Sequence, residues 1–251
     1  PDSVKMLSVI GAEYTKIIEQ YYLPRKKMII VDGDNTLWGG ILGEDGINNL
    51  KIGNEYPGII YNKFQNQIIS LSKNGFLIVL LTKNNQSDID EIFKSNLLVL
   101  KKYHFAKIIA NWLPKSQNIR KLLTEFNILP ESAIFIDDNL FEINEISQNL
   151  KDIDTYQFDY SDDKKSLKLF SGISNLIKWK NIKEDKNKLL QYKQEFKRKK
   201  FKNNFSKIDK FIDSLEIEVT VSKNDSKSIE RISQLTNKTN QFNLTSRRYS
   251  S

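Results

Sequence analysis

Two aspartates, Asp32 and Asp34, stand two residues apart directly after the apolar run Met28-Ile29-Ile30-Val31. One carboxylate can attack phosphorus and form an aspartyl phosphate. A second, two residues on, can give a proton to the leaving oxygen and later take one from water. Close together, both attract Mg²⁺, a hard cation that prefers oxygen ligands. A plain Asp-Gly-Asp-Asn turn at a strand end is the other reading of the same residues. Little else in the chain offers catalysis. There is no Cys, which excludes disulfides, thiolate zinc sites and a cysteine nucleophile. The single His, His104, reads as an ordinary loop or surface residue. Chemistry must rest on carboxylates, Lys, Thr, Asn or a metal.

These side chains need a scaffold, and the pattern supplies one. Four apolar residues before Asp32 suit a central parallel strand over 28–32, covered on both faces. Open α/β sheets bind ligands at the carboxyl ends of such strands. Further apolar runs predict strands over 76–81, 107–110 and 133–136. Helical spacing marks 4–22, 62–73, 87–95 and 115–126, and Asn74-Gly75 stops the second of these. The Gly-rich stretch 38–46 reads as a small flap. Strands alternating with helices at this spacing indicate a parallel α/β sheet.

The pattern changes after residue 160. Residues 161–213 carry 16 Lys or Arg against 7 Asp or Glu, so the net charge of +8 resides there. A solvated helix face is the plain reading of that segment. A strand over 215–221 and a helix over 227–238 follow. The domain expectation is an N-terminal helical segment, 1–26, a catalytic domain, 27–160, and a basic C-terminal region, 161–251. Mean hydropathy of −0.49 and 39% apolar residues fit a soluble chain with a core. No apolar run approaches the about 18 residues that cross a bilayer. No signal peptide is visible, which points to the cytoplasm. A start at Pro1 rather than Met suggests a piece cut from a larger polypeptide.

The order of apolar strand, Asp32, Asp34 and Thr36 resembles motif I of the haloacid dehalogenase (HAD) superfamily, mostly phosphatases and phosphotransferases. The resemblance continues in order along the chain. Thr82 falls where a motif II hydroxyl binds the transferring phosphoryl oxygen. Lys115 falls where a motif III ammonium neutralises the phosphate and the attacking carboxylate. Asp137 and Asp138 fall where the motif IV acids complete a Mg²⁺ shell. Asp32 is thereby implied as nucleophile and Asp34 as general acid and base. The metal would be held by Asp32, the Asp34 carbonyl and Asp138, with Asp137 in direct or indirect contact.

Longer segments resemble the FkbH-like family within that superfamily. They are Asp32 to Gly40, Lys83-Asn84-Asn85, Asn111 to Lys115, Phe135 to Asn139 and Gln234 to Thr245. Trp38-Gly39-Gly40 and Thr239-Asn240-Gln241-Phe242-Asn243-Leu244-Thr245 are the specific ones. The family is implied to take D-1,3-bisphosphoglycerate, remove phosphate and load the three-carbon acyl unit onto the phosphopantetheine thiol of an acyl carrier protein, in polyketide assembly. On this resemblance Thr36, Trp38, Gly39, Gly40, Lys83, Asn84 and Asn111 bind substrate. The fold implied is a HAD Rossmann-like sheet flanked by helices, with a C-terminal α+β extension resembling part of an N-acetyltransferase fold.

Three departures stand out. Leu81 sits where many relatives place a Cys before the motif II hydroxyl. Leu140 and Ile143 replace a Pro and an Arg after strand four, while Glu142 remains. No Gly follows Gly172, so a Gly-containing pyrophosphate loop is missing from the C-terminal half. Two other functions remain in view: a generic Mg²⁺-dependent phosphatase on a small metabolite or phosphoprotein, and a non-catalytic basic docking module. Steep salt dependence would mark nucleic-acid binding, which the intact acidic set makes the weaker expectation.

Overall fold

The computed structural model describes residues 24–173 continuously, with scattered positions on either side. Five parallel strands form one sheet in the order β3-β2-β1-β4-β5: β1 Met28–Val31, β2 Leu77–Thr82, β3 Phe105–Ala110, β4 Ala133–Asp137 and β5 Asp154–Gln157. The chain winds outward from β1 through β2 to β3, then crosses back to β4 and continues to β5. The direction of winding therefore reverses at β1. Such a switch point opens a crevice beyond the strand's carboxyl end, and Asp32 is the first residue past β1.

Every residue of β1, β2 and β4 is buried. Alternation sorts them onto two faces. Ile29, Val31, Ile78, Leu80, Ile134 and Ile136 point to one core with Phe64, Ile68, Ile89 and Ile92. Those partners lie on α2 (Gly58–Lys73) and α3 (Gln86–Lys94). Met28, Ile30, Leu77, Val79, Leu81 and Phe135 point to the other, with Ile119, Leu122, Phe126 and Ile146. These come from α4 (Lys115–Phe126) and α5 (Leu140–Asn149). Leu81 is thus core packing against the α4–α5 layer. A four-residue helix, α1 (Leu42–Asp45), lies within the flap.

Several bounds differ from the sequence expectation. Helix α2 begins four residues before 62, at Gly58, and β3 begins two residues before 107. Helix α5 follows directly on the acidic pair, its first turn capped by Asn139, whose side chain accepts from the Phe141 amide at 2.9 Å. Strand β5, Asp-Thr-Tyr-Gln, has no apolar run of its own and forms an edge by pairing with β4.

Packing does not stop at residue 160. Helix α6 (Asp163–Lys168) contacts α2, where Gln67 Nε2 donates to the Leu167 carbonyl at 2.7 Å. Phe170 stacks on Phe64 with ring centroids 5.3 Å apart, and Ile173 is buried in the same core. The start of the basic segment thus completes one face of the packing around the sheet. The chain divides into two compact units, Pro1–Arg198 and Lys199–Ser251. Positions 6–11, 14, 15, 18 and 22 are helical, within the expected 4–22. Of the strand expected over 215–221, residues 218, 220 and 221 are described and carry no strand, whereas of the helix expected over 227–238, residues 229, 230, 232 and 233 are helical; the Gln234 to Thr245 motif lies outside the described residues. No helix among the described residues is long and apolar enough to cross a membrane.

Candidate active site at the switch point of the sheet

The Asp32 amide donates to the Ile136 carbonyl at 3.0 Å, which continues the β1–β4 ladder one residue beyond the strand. That bond brings Asp32 beside Asp137, the last residue of β4. Lys115, at the first position of α4, reaches between them. Its Nζ lies 2.6 Å from Asp137 Oδ2 and 2.8 Å from Asp32 Oδ1. The contact to Asp137 is a hydrogen bond. The contact to Asp32 is an ion pair outside hydrogen-bonding geometry, so Asp32 Oδ1 is a buried oxygen with no hydrogen-bond donor. Asp137 Oδ1 accepts from the Asn139 amide at 2.9 Å.

All three groups are almost fully buried, Lys115 at 3% exposure, Asp32 at 6% and Asp137 at 0%. Burial alone would lower the Lys115 ammonium, but Asp32 and Asp137 outweigh it and hold the group protonated well above its ordinary value. Burial, then the neighbouring Asp32, pushes the Asp137 carboxyl up to about 7, against the pull of Lys115. The same two causes push Asp138 up to about 6. Two acids that resist ionisation beside a third are a site short of positive charge.

A metal ion answers that shortage. One carboxylate oxygen each from Asp32, Asp137 and Asp138 lie within 4.8 Å of one another. The set is all hard oxygen, which suits Mg²⁺. The residues present fit the ion.

The loop after Asp32 folds back on itself. Asn35 takes a left-handed conformation, φ 51°, and its Oδ1 accepts from the Gly40 amide at 2.9 Å. Leu37 N donates to the Gly33 carbonyl at 2.8 Å. This turn drives Trp38 into the interior, where its indole lies against Gly33: a Cβ on Gly33 would stand 2.7 Å from the ring. Gly39 approaches Tyr61 as closely, and Gly40 needs its φ of +105°. Asp34 is then gripped from three sides. Its Oδ1 accepts from Trp38 Nε1 at 2.8 Å and from the Leu42 amide of α1 at 3.0 Å. Its Oδ2 accepts from Asn84 Nδ2 at 2.8 Å. Burial raises the Asp34 carboxyl above its usual value, although these three donors favour the anion.

The structure brings together Asp32, Asp34, Thr82, Lys115, Asp137 and Asp138, all expected from the sequence. Of the expected substrate contacts, Thr36 and Trp38 are fully buried and Asn84 is 2% exposed. Asn111 pairs with Asn118 and accepts from the Leu113 amide, which shapes the loop ahead of Lys115. Lys83 is ion-paired with the buried Glu142 of α5, and Ser116 of α4 bonds Glu145, also of α5. These two ties brace the α4–α5 side of the crevice. Of these four residues, Lys83 and Glu142 stood out in the sequence. Glu145 and the Leu42 amide carried no signal, because their roles depend on where two helix ends meet the site.

The sheet order and its helical layers are those of a Rossmann-like α/β fold, with the acidic cluster at its switch point. The chain is similar to the N-terminal part of BF1531 from Bacteroides fragilis, a structure containing a phosphatase domain complexed with Mg. The two are 32% identical with a TM-score of 0.62, over 68% of this chain and 45% of that one. The chain thus spans less than half the length of that relative. More distant likenesses are a HAD family enzyme, BT-2542, from Bacteroides thetaiotaomicron with magnesium and inorganic phosphate, and a predicted HAD-like hydrolase from Porphyromonas gingivalis. The former is 14% identical with a TM-score of 0.40 over 57% of this chain and 98% of that one. The latter is 15% identical with a TM-score of 0.42 over 59% and 98%. No family model and no curated protein matches the chain.

Proposed function

We propose that this chain is a Mg²⁺-dependent HAD-type enzyme that cleaves phosphate through an aspartyl phosphate. The observation that carries this is the buried Asp32 carboxylate, 2.8 Å from Lys115, sharing a switch-point crevice with Asp137 and Asp138. An Asp32 oxygen attacks phosphorus, the bond to the leaving oxygen breaks, and Asp34 gives that oxygen its proton. Asp34 then takes a proton from water, which attacks the aspartyl phosphate and frees inorganic phosphate and Asp32. Thr82 donates its hydroxyl to a phosphoryl oxygen, and Lys115 offsets the charge on Asp32. A Mg²⁺ held by Asp32, Asp138 and Asp137 would supply charge neutralisation at the phosphate.

The substrate proposed is D-1,3-bisphosphoglycerate, with the three-carbon unit passing to the phosphopantetheine thiol of an acyl carrier protein. This finer reading rests on the resemblance of Trp38-Gly39-Gly40 and the Thr239 to Thr245 stretch to the FkbH-like family. With no Cys in the chain, the carrier thiol would attack the acyl carbon directly, with phosphate as leaving group. The basic segment 161–213 would give an acidic carrier a complementary surface, which acts mainly on association rate.

Incubation with bisphosphoglycerate, Mg²⁺ and a holo carrier protein, followed by intact mass spectrometry of the carrier, tests the whole reading. A glyceryl mass gain on the carrier is expected. Phosphate release without carrier acylation would leave the second reading, a phosphatase on a small phosphorylated metabolite. Leu81, in place of a Cys and buried in the core, favours that second reading.

A further inference from the structure

Asn84 follows the motif II position by two residues and was expected to touch substrate. Its surroundings give it another task. The side chain is 2% exposed. Its Nδ2 is 2.8 Å from Asp34 Oδ2 and 2.9 Å from Thr82 Oγ1. An ionised carboxylate only accepts hydrogen bonds, which fixes the amide nitrogen on the Asp34 side. Both N–H bonds of the amide are then in use, one on each neighbour, and no donor remains for a ligand.

The consequences differ at the two ends. On Asp34, Oδ1 already accepts from Trp38 and Leu42, whereas Oδ2 has Asn84 as its one hydrogen-bond donor among the described residues. Oδ2 therefore keeps a free lone pair, and Asn84 fixes the direction in which it points. On Thr82, accepting from Asn84 turns the lone pair of Oγ1 inward and leaves the hydroxyl hydrogen to donate elsewhere. That hydroxyl faces Gly33, between the two aspartates: a Cβ on Gly33 would lie 3.0 Å from it.

We propose that Asn84 is a positioning residue that aims Asp34 Oδ2 at the leaving oxygen and, through the same amide, turns the Thr82 hydroxyl toward the transferring phosphoryl group. The inference rests on the roles given to Asp34 and Thr82 above. In the step concerned, the phosphorus–oxygen bond breaks as the proton on Oδ2 moves to the departing oxygen, leaving Asp34 ionised and accepting from Asn84.

Leaving-group dependence tests this. A nitrophenolate departs without help from an acid, while an alkoxide needs its proton. Asn84→Ala and the near-isosteric Asn84→Asp, which has no N–H donor, are compared with the wild type in Mg²⁺ by kcat/KM on p-nitrophenyl phosphate and 3-phosphoglycerate. Both variants should lose on the order of tenfold more on 3-phosphoglycerate than on the aryl ester. In an Asp34→Asn background, Asn84→Ala should add little to that difference, since its effect runs through Asp34. Thermal melts report folding, and Asn84→Asp carries the test if Asn84→Ala does not fold. Equal losses on the two esters would make Asn84 a structural residue and overturn the inference, as would unchanged discrimination in Asn84→Asp. A wild-type protein that releases phosphate from neither ester nor from bisphosphoglycerate would overturn the phosphatase reading itself, and the inference with it.

Discussion

Lys115 and Asp137 form an ion pair of 2.6 Å with both side chains shut away from solvent. Such a pair adds little stability as a pair, but losing one partner strands a buried charge. Here Lys115 also stands 2.8 Å from Asp32, so its removal strands two. Lys115→Met should therefore destabilise the protein by about 3–5 kcal/mol in the absence of metal, read from urea denaturation. It should also abolish phosphate release. Mg²⁺ should recover part of the lost stability, since it offers the carboxylates another countercharge. A variant as stable as the wild type in EDTA would contradict the charge accounting.

Asp32 has the opposite balance. It raises the carboxyls of both Asp137 and Asp138, so neutralising it relieves repulsion as it removes the nucleophile. Asp32→Asn should cut phosphate release by about a thousandfold or more. Its melting temperature in EDTA near neutral pH should equal or exceed that of the wild type. Phosphate release at the wild-type rate would sink the assignment of Asp32, and a large fall in stability would show that the carboxylate is needed for folding.

What the sequence made legible were features carried by continuous runs. Met28–Val31, Leu77–Thr82 and Ala133–Asp137 are apolar because both faces of the sheet are covered, and each announces the polar residue at its end. The site acids and Thr82 lie at those ends, whereas Lys115 opens a helix and is implied by the resemblance of its position to motif III. Strand β5 stayed hidden because Asp154–Gln157 is only half-buried and exists by pairing with β4. Helix α5, although Asn139 caps it, turns only Ile143 and Ile146 onto the core, too few apolar residues to mark a helical period. The supporting roles of Trp38 and Asn84 were illegible for a different reason. A hydrogen bond from residue 84 to residue 34 is a product of tertiary structure, and the same residue types in a loop read equally well as ligand contacts.

The acidic cluster also predicts how metal and proton compete. In the metal-free protein Asp137 and Asp138 have values raised to about 7 and about 6, chiefly by burial. Between the ordinary carboxyl range and those values, the folded state holds more protons than the unfolded chain. Stability from these groups is thus greatest at low pH and falls as pH rises through 6 and 7. Mg²⁺ must displace those protons, so it should bind weakly at pH 5 and well at pH 8. With free Mg²⁺ at a hundred times its Kd, the pH 8 melting temperature should rise by about 5–10 °C over that in EDTA, with a much smaller rise at pH 5. Equal shifts at both pH values would place the metal elsewhere.

Gly33 offers a test of how closely the loop between the two aspartates is fitted. A Cβ there would stand 2.7 Å from two ring carbons of Trp38 and 3.0 Å from Thr82 Oγ1. Trp38 is fully buried and its Nε1 is held by Asp34, so the ring cannot yield without releasing that carboxylate. Overpacking of this kind costs about 1–3 kcal/mol. Gly33→Ala should thus lower stability by that amount and also reduce kcat, because relief of the clash displaces Asp34 and the Thr82 hydroxyl together. Trp38→Phe, which shortens the ring and removes the indole donor, should restore stability to the Gly33→Ala background while leaving kcat low. Calorimetry and steady-state kinetics on the single and double variants separate the two effects. Recovery of full activity in the double variant would show that the Trp38–Asp34 bond plays no part in the chemistry.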